Sequence, residues 1–253
     1  MTTADAVEEA EIIRMGGVDL YGYRRARGAG YMHAELVEIA KASGDLYGYR
    51  VARAAGHTHT ECVEIAAAGG DLYGYREARD AGHTHTECVE IAAAGGDLYQ
   101  YRRARAAGRS HVELVEIAGA SGDLDEYRWA RAAGHSHTEL VEFARASGDK
   151  DGYRLARVLG GHLDEYRKAR AAGCSHVELV EITKAGVNLF WYRPARRSGV
   201  AHGAIVAAVT VHGLSAGLSA GLLGEFADRM VAAPGADVST IVFELVADVR
   251  EAQ

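Results

Sequence analysis

DLYGYRVARAAGHTHTECVEIAAAGG at residues 45–70 is followed without a gap by DLYGYREARDAGHTHTECVEIAAAGG at residues 71–96. The two segments match at 24 of 26 positions and differ only at Val51/Glu77 and Ala54/Asp80. Related segments begin 26 residues apart, at Asp19, Asp45, Asp71, Asp97, Asp123 and Asp149. A fixed period of this length predicts an array of structural repeats, each packed on its neighbours.

Each repeat is predicted to form two short helices. Asp45 is a favoured N-cap for the first helix, and Gly56 is a favoured residue for its left-handed end. Thr58 and Glu61 form the S/T-x-x-E capping box of the second helix, which buries Cys62. Because helices of about ten residues are marginal alone, they must stack. The fold class is therefore all-α, an α-solenoid of 26-residue helix-turn-helix repeats.

The repeat pattern defines three regions. Residues 1–18 form an acidic N-terminal capping helix, 19–199 the helical-repeat solenoid, and 200–253 a divergent C-terminal helical cap or self-association segment. After Asp149 the next first-helix segment begins only 13 residues later, at His162. This predicts a phase break within 149–173, with a change of phase or direction of the stack near Gly160-Gly161.

The C-terminal region contains an uncharged run from Ala204 to Gly224. Its Gly213, Gly217 and Gly221 lie four residues apart, which places them on one helix face that another backbone can approach closely. This predicts homo-oligomer formation through these glycines. A membrane role is the less favoured alternative, because His212 and several glycines lower the hydrophobicity of the run.

Composition limits the class of protein. The 253 residues are 48% hydrophobic and 25% charged, which is typical of a folded soluble protein. Three cysteines are too few for a disulfide framework, and the N-terminus lacks the features of a secretory signal, so we expect a cytoplasmic protein. Residues 19–199 carry 25 acidic and 25 basic side chains, and this balance disfavours nucleic-acid binding.

Two segments resemble part of an ankyrin repeat. AAGHSHTELVEFARASGD at 132–149 is similar to its helix-loop-helix half, and GGHLDEYRKARAAG at 160–173 shares the G-H-L-x entry to a second helix. The chain has no T-P-L-H tetrapeptide and no segment for the ankyrin β-hairpin. The resemblance, which extends over 19–199, implies a non-enzymatic solenoid that binds other proteins.

His57, His59 and Cys62 lie close enough in sequence to suggest a metal site, but their repeats argue against one. Leucine replaces Cys62 in most repeats, which predicts a buried apolar position. The position of His57 varies widely, which predicts exposure. We therefore expect no metal and no cofactor. Histidine at the position of His59 recurs in seven repeats, and we expect neutral rings packed or hydrogen-bonded between repeats. A pH-responsive ladder is the alternative.

Two arginine ladders run through the first helices, at the positions of Arg50 and Arg53. Two glutamate ladders run through the second helices, the first at the position of Glu61 and the second at the position of Glu64. Because residues 19–199 are neutral overall, these ladders predict Arg–Glu pairing between helices. Where the phase breaks, a glutamate partner is missing from the pattern. This makes 149–173 a candidate site for an anionic ligand, with four arginines as candidate residues: Arg154, Arg157, Arg167 and Arg170.

The most variable positions of the first helix lie on one stripe, because positions 47, 51 and 54 have helical i, i+4, i+7 spacing. Tyrosine, tryptophan and arginine recur there, and these residues dominate binding energies at interfaces. Another tyrosine ladder, which includes Tyr49, is invariant and is predicted to be core. The predicted partner-binding residues are Tyr47, Tyr73, Tyr99, Arg103, Trp129, Leu155 and Lys168.

The sequence contains no nucleophile elbow, P-loop, dinucleotide fingerprint or HExxH motif, so we expect no enzyme. The predicted function is a non-enzymatic helical-repeat scaffold that binds another protein through the variable face of its first helices. One alternative is sequestration of a small aromatic or anionic ligand at 149–173. Nucleic-acid binding is a third.

Overall fold

A computed structural model describes residues 3–15, 20–42, 45–147, 162–187, 189–210, 220–233, 237–238, 240–242 and 244–245. Within these ranges the chain is all-helical and no strand occurs. Successive neighbouring helices pack in a regular order, as in a helical-repeat solenoid. The chain divides into two compact units, residues 1–119 and 120–253.

The first unit has two layers of helices. Helices with even numbers are the first helices of each repeat, here called A helices, and those with odd numbers are the second, B helices. Each A helix packs on the next A helix and each B helix on the next B helix. The helices are α1 Thr3–Met15, α2 Leu20–Gly28, α3 His33–Ala42, α4 Leu46–Ala54, α5 His59–Ala67, α6 Leu72–Asp80, α7 His85–Ala93, α8 Leu98–Ala106 and α9 His111–Gly119.

The predicted helix boundaries are confirmed by the capping contacts of the duplicated repeats. Asp45 accepts a hydrogen bond from the backbone N–H of Gly48, and Thr58 and Glu61 form the complete capping box. Gly56 has a φ of +95°, a left-handed conformation that other residues adopt only with strain. The loop between the two helices is therefore fixed by local sequence alone.

Burial follows the repeat pattern. In the second repeat Leu46, Tyr49, Cys62 and Ile65 are all fully or almost fully buried, and so are the four equivalent residues of the third repeat, Leu72, Tyr75, Cys88 and Ile91. Each buried Leu or Ile side chain contributes about 2 kcal/mol relative to an exposed one. Because this burial requires a neighbouring repeat, stacking stabilises helices that are too short to form alone.

Successive B helices pack closely at the glycine that ends each of the two duplicated repeats. A Cβ atom added to Gly70 would lie 2.9 Å from Cγ2 of Ile65 and 3.0 Å from Cβ of Ala92 in the next repeat. Gly96 is equally close to the equivalent atoms of Ile91 and Ala118. Only glycine allows this packing distance between successive B helices.

The second unit repeats the same two-layer arrangement. Its A helices pack in the order α10, α12, α14 and α16, and its B helices in the order α11, α13 and α15. Their bounds are α10 Leu124–Ala132, α11 His137–Ser147, α12 His162–Ala171, α13 His176–Lys184, α14 Leu189–Arg197, α15 His202–Thr210 and α16 Ala220–Ala232.

The helices on either side of residues 148–161 pack in the order of the repeats. α12 packs on α10 and α13 packs on α11, as in directly successive repeats. The change of phase or direction expected near Gly160-Gly161 falls outside the described residues. Arg170 contacts Glu139 in the same way that Arg196 contacts Glu178. The additional 13 residues therefore change the sequence period without changing the described contacts between adjacent repeats.

Both ends of the array extend the repeat pattern. α1 packs on α2 and α3 as a preceding B helix, and its Ile12 is buried. At the other end α15 packs on α13 and α16 packs on α14. Gly213 and Gly217 lie outside the described residues. None of the described helices is both long and apolar enough to span a membrane.

Candidate functional site

The histidine ladder forms chains of three side chains that connect successive repeats. Nδ1 of His59 lies 3.0 Å from the hydroxyl of Tyr49, and its Nε2 lies 2.9 Å from a carboxylate oxygen of Glu38 in the preceding repeat. The same chain occurs at Tyr23–His33–Glu11, Tyr75–His85–Glu64, Tyr101–His111–Glu90, Tyr166–His176–Glu142 and Tyr192–His202–Glu181.

The chemistry of each chain follows from its two ends. When the carboxylate accepts Nε2–H, the neutral ring accepts the tyrosine O–H at Nδ1, so both ring nitrogens are satisfied. The hydroxyl end is buried, as the 0% exposure of Tyr75 illustrates, whereas the Glu64 side chain is 54% exposed. Because the tyrosine is inaccessible to a substrate, each group of Tyr, His and Glu side chains serves to hold neighbouring repeats together. The predicted role of this ladder between repeats is confirmed.

The position of His57 differs from the expectation. We predicted that it is exposed, but the residue is half-buried, and its ring lies 4.9 Å from the ring of Tyr75 in the next repeat. His83 and His135 contact Tyr101 and Tyr166 in the same way. Burial lowers the pKa of all three histidines, which favours the neutral ring. Tyr31, at the same position one repeat earlier, contacts Tyr49 with ring centroids 5.4 Å apart, so histidine and tyrosine both pack on the tyrosine of the next repeat.

The arginine ladder that includes Arg53 connects each A helix to the preceding B helix. Arg53 donates a hydrogen bond to the carbonyl of His57 at 3.1 Å and lies 3.8 Å from Glu35 of the preceding B helix. Equivalent ion pairs join Arg79 to Glu61, Arg105 to Glu87, Arg170 to Glu139 and Arg196 to Glu178. The predicted Arg–Glu pairing is thus confirmed for the first glutamate ladder. For the second it is wrong, because those glutamates contact histidines.

The candidate anion site at 149–173 is not supported by the contacts. Arg167 lies 2.6 Å from Asp164, and Arg170 lies 3.0 Å from Glu139. We expected these arginines to lack a carboxylate partner, but each of them has one. Lys168, a predicted partner-binding residue, contacts both Asp164 and Glu165. Three further candidates, Arg154, Leu155 and Arg157, lie outside the described residues.

Glu126 is a half-buried carboxyl whose contact the sequence does not predict. Its Oε2 accepts a hydrogen bond from the backbone N–H of Leu163 at 3.0 Å, so it caps the start of α12 from α10. Burial, together with the nearby charge of Asp123, raises the pKa of Glu126 to about 7. The sequence shows only that this position is Gly48, Gly74 or Gln100 in earlier repeats, which does not reveal the contact.

The variable stripe lies on the exposed side of the A helices. In the first unit Tyr47 is 60% exposed, Tyr73 44% and Tyr99 50%, and Tyr21 continues the series on α2. Trp129 is 48% exposed on α10 of the second unit. By contrast Tyr49 and its equivalents are core, as predicted. We use the name aromatic stripe for Tyr21, Tyr47, Tyr73 and Tyr99.

Each residue of the aromatic stripe has an arginine close to its ring. The guanidinium carbon of Arg50 lies 5.4 Å from the ring centroid of Tyr47, and that of Arg76 lies 5.1 Å from the ring centroid of Tyr73. Tyr99 has both Arg102 and Arg103 at similar distances. Such cation–π contacts restrict the arginine side chain while its N–H groups remain able to bind a partner.

The described residues contain no group of three or more His, Cys, Asp or Glu side chains placed to hold one metal ion. His57 and His59 contact different partners, and Cys62 is buried in the core. Burial raises the pKa of Cys62 and of Cys88 to about 11, which keeps both as neutral thiols. These cysteines therefore serve as small core residues.

Together the fold and the site define an all-α helical-repeat protein with an exposed aromatic and arginine-rich face. No protein-family model matches the chain, and a search of curated proteins found no match. The likeness to the helix pair of ankyrin repeats accordingly depends only on the residues quoted for it.

Proposed function

We propose that the protein is a non-enzymatic scaffold that binds another protein through the exposed face of its A helices. The observation that carries the proposal is the aromatic stripe, in which a half-exposed tyrosine recurs on four successive A helices and each ring is accompanied by an arginine. Tyrosine and arginine are enriched among the residues that dominate binding energies at interfaces. An ordinary surface carries apolar residues singly, whereas here exposed tyrosines recur in a series on one face.

The conformational cost of binding supports the same surface. Core contacts on their buried side fix the A helices, and the cation–π contacts restrict the arginine side chains in the unbound protein. A rigid surface loses little side-chain freedom on binding, so more of the contact energy appears as affinity. Trp129 provides a further exposed aromatic on the equivalent face of α10.

The test is a variant with alanine at Tyr47, Tyr73, Tyr99 and Trp129. These side chains are exposed, so the variant should fold, and we expect its affinity for a partner that co-purifies with the native protein to fall at least about 100-fold. The matched control replaces Val112 and Val177, exposed at 73% and 72% on B helices, with alanine. If the quadruple variant binds as tightly as the control, the proposed face is wrong.

The two alternative functions gain no comparable support. Ligand sequestration at 149–173 required unpaired arginines, and the described ones are paired. Nucleic-acid binding required a basic footprint, whereas the chain has a net charge of −7.

A further inference from the structure

The two duplicated repeats differ only at positions that lie on the exposed face. Val51 and Ala54 of the second repeat are replaced by Glu77 and Asp80 in the third. Every other position of these 26-residue segments is identical, including all core and joint residues. The difference between the two repeats therefore changes the charge of the exposed face and leaves the fold unchanged.

The replaced positions decide which arginines have ion pairs. Glu77 lies 3.0 Å from Arg102 of the next repeat, so this position of one A helix contacts the arginine of the following A helix. Arg76 is held only loosely, at 3.8 Å from both Glu77 and Asp80.

The equivalent pair one repeat earlier is Val51 and Arg76, and two repeats earlier it is Arg25 and Arg50. The position that holds a carboxylate next to Arg102 thus holds a second arginine next to Arg50. Among the described residues neither Arg25 nor Arg50 has a carboxylate partner. Their guanidinium carbons lie 5.6 Å and 5.4 Å from the ring centroids of Tyr21 and Tyr47.

Positions 25 and 50 correspond to positions 77 and 102, whose side chains lie 3.0 Å apart, so an arginine at both positions favours an anion between them. Arg25 also donates a hydrogen bond to the hydroxyl of Tyr21 at 3.2 Å. A carboxylate is the side-chain group that matches the planar fork of arginine with paired hydrogen bonds. Of the ten arginines on the four A helices of this unit, five pair with glutamates of the B helices. The other five, against only Glu77 and Asp80 on the same helices, give this face an excess of positive charge: Arg25, Arg50, Arg76, Arg102 and Arg103.

The repeat spacing defines the form of the partner. Packed helices lie about 8–10 Å apart, and an extended chain rises about 3.3 Å per residue, so three residues span one repeat. Carboxylates at every third residue of an extended segment would therefore meet arginines of successive A helices. A nucleic acid carries a charge at every nucleotide and would meet repulsion at Glu77 and Asp80.

We propose that the aromatic stripe binds an extended acidic segment of a partner protein, with carboxylates at every third residue. The Arg25–Arg50 pair is its strongest anion-binding point. The proposal rests on the proposed function and names the chemistry of the partner for that same face.

The test uses the full chain and a fluorescein-labelled peptide, (Glu-Thr-Ser)4, with (Gln-Thr-Ser)4 as the uncharged control. Fluorescence anisotropy should show the glutamate peptide binding at least about tenfold more tightly than the glutamine peptide. Equal affinities, or no binding of either peptide, would overturn the proposal. Tighter binding of a twelve-nucleotide oligothymidylate would overturn it in favour of nucleic acid.

The duplicated repeats provide matched variants. V51E/A54D gives the second repeat the residues of the third, and we expect the affinity for the glutamate peptide to fall about tenfold because Arg50 and Arg76 gain carboxylates. E77V/D80A makes the reverse change and should tighten binding. Both variants carry a repeat sequence that already folds in this chain. An unchanged affinity in both would overturn the proposal.

A comparison with a co-purified partner separates this proposal from the broader one. Loss of partner binding in the quadruple alanine variant without any loss in V51E/A54D would reject the acidic segment and retain the proposed function. Retention of binding in both would reject the proposed function itself.

Discussion

Replacing Glu126 with glutamine should remove a specific pH dependence of stability. The Glu126 carboxyl is half-buried against the start of α12, and its pKa is raised from 4.5 to about 7. Between these two pH values the folded protein binds more protons at this group than the unfolded chain does. The free energy of unfolding therefore decreases as pH rises from 4.5 to 7 and loses no more from this group above that range.

The magnitude follows from the interval between pH 4.5 and pH 7. At about 1.4 kcal/mol per pH unit, the ionised carboxyl destabilises the fold by up to about 3 kcal/mol at pH 8. Glutamine keeps the size of the side chain and a carbonyl oxygen that can accept the hydrogen bond from Leu163. We therefore expect E126Q to be more stable than the wild type at pH 8, and the difference to shrink at pH 5.

Urea-induced unfolding of both proteins at pH 5 and pH 8 measures this double difference. Glu165 occupies the equivalent position of α12 and lies 2.8 Å from Lys168, so E165Q is the matched control and should give no gain at pH 8. If the stability difference between E126Q and the wild type is the same at both pH values, Glu126 does not titrate as a buried carboxyl and the reasoning is refuted.

Three further changes test the joints between repeats by chemical denaturation. Tyr75→Phe leaves Nδ1 of His85 without its partner and should cost about 1 kcal/mol, whereas Tyr73→Phe, on the exposed stripe, should be neutral; equal effects would contradict the structural role of the ladder. Gly70→Ala should cost about 1–3 kcal/mol because the new Cβ meets the neighbouring helix, and a neutral result would show that the layers can separate. Thr84→Ala removes half of a capping box and should cost about 1 kcal/mol, and a loss below about 0.3 kcal/mol would contradict the cap.

The elements that the sequence predicts well are those fixed within one repeat. Asp45, Gly56 and Thr58 specify helix ends through their own backbone contacts, so the position of each short helix follows from local sequence. The 26-residue period then brings equivalent residues together, which is why the core role of Tyr49 could be predicted.

The contacts that the sequence does not predict are those between repeats. Two glutamates of each B helix have the same charge and similar spacing, so sequence alone does not show that Glu61 contacts an arginine while Glu64 contacts a histidine. The choice depends on which face of the helix meets the next repeat. The packing of α12 directly on α10, across the additional residues after Ser147, is likewise not predictable from the sequence, because it is a contact between repeats.

The candidate site was predicted in part. Exposure of Tyr47, Tyr73 and Tyr99 follows from their spacing opposite the core positions. The sequence does not show that Arg25 and Arg50 have no carboxylate partner among the described residues, because this depends on which residue of one A helix faces an arginine of the next.

The most direct test of the central claim is site-specific photo-cross-linking in the native cell. A photoreactive benzophenone side chain is placed either at Tyr73 on the aromatic stripe or at Val112, which is exposed on a B helix of the same unit. We predict that a discrete partner protein cross-links at position 73 and is absent from position 112. Cross-linking of that partner at position 112 but not at position 73 would contradict the claim that the protein binds its partner through the aromatic stripe.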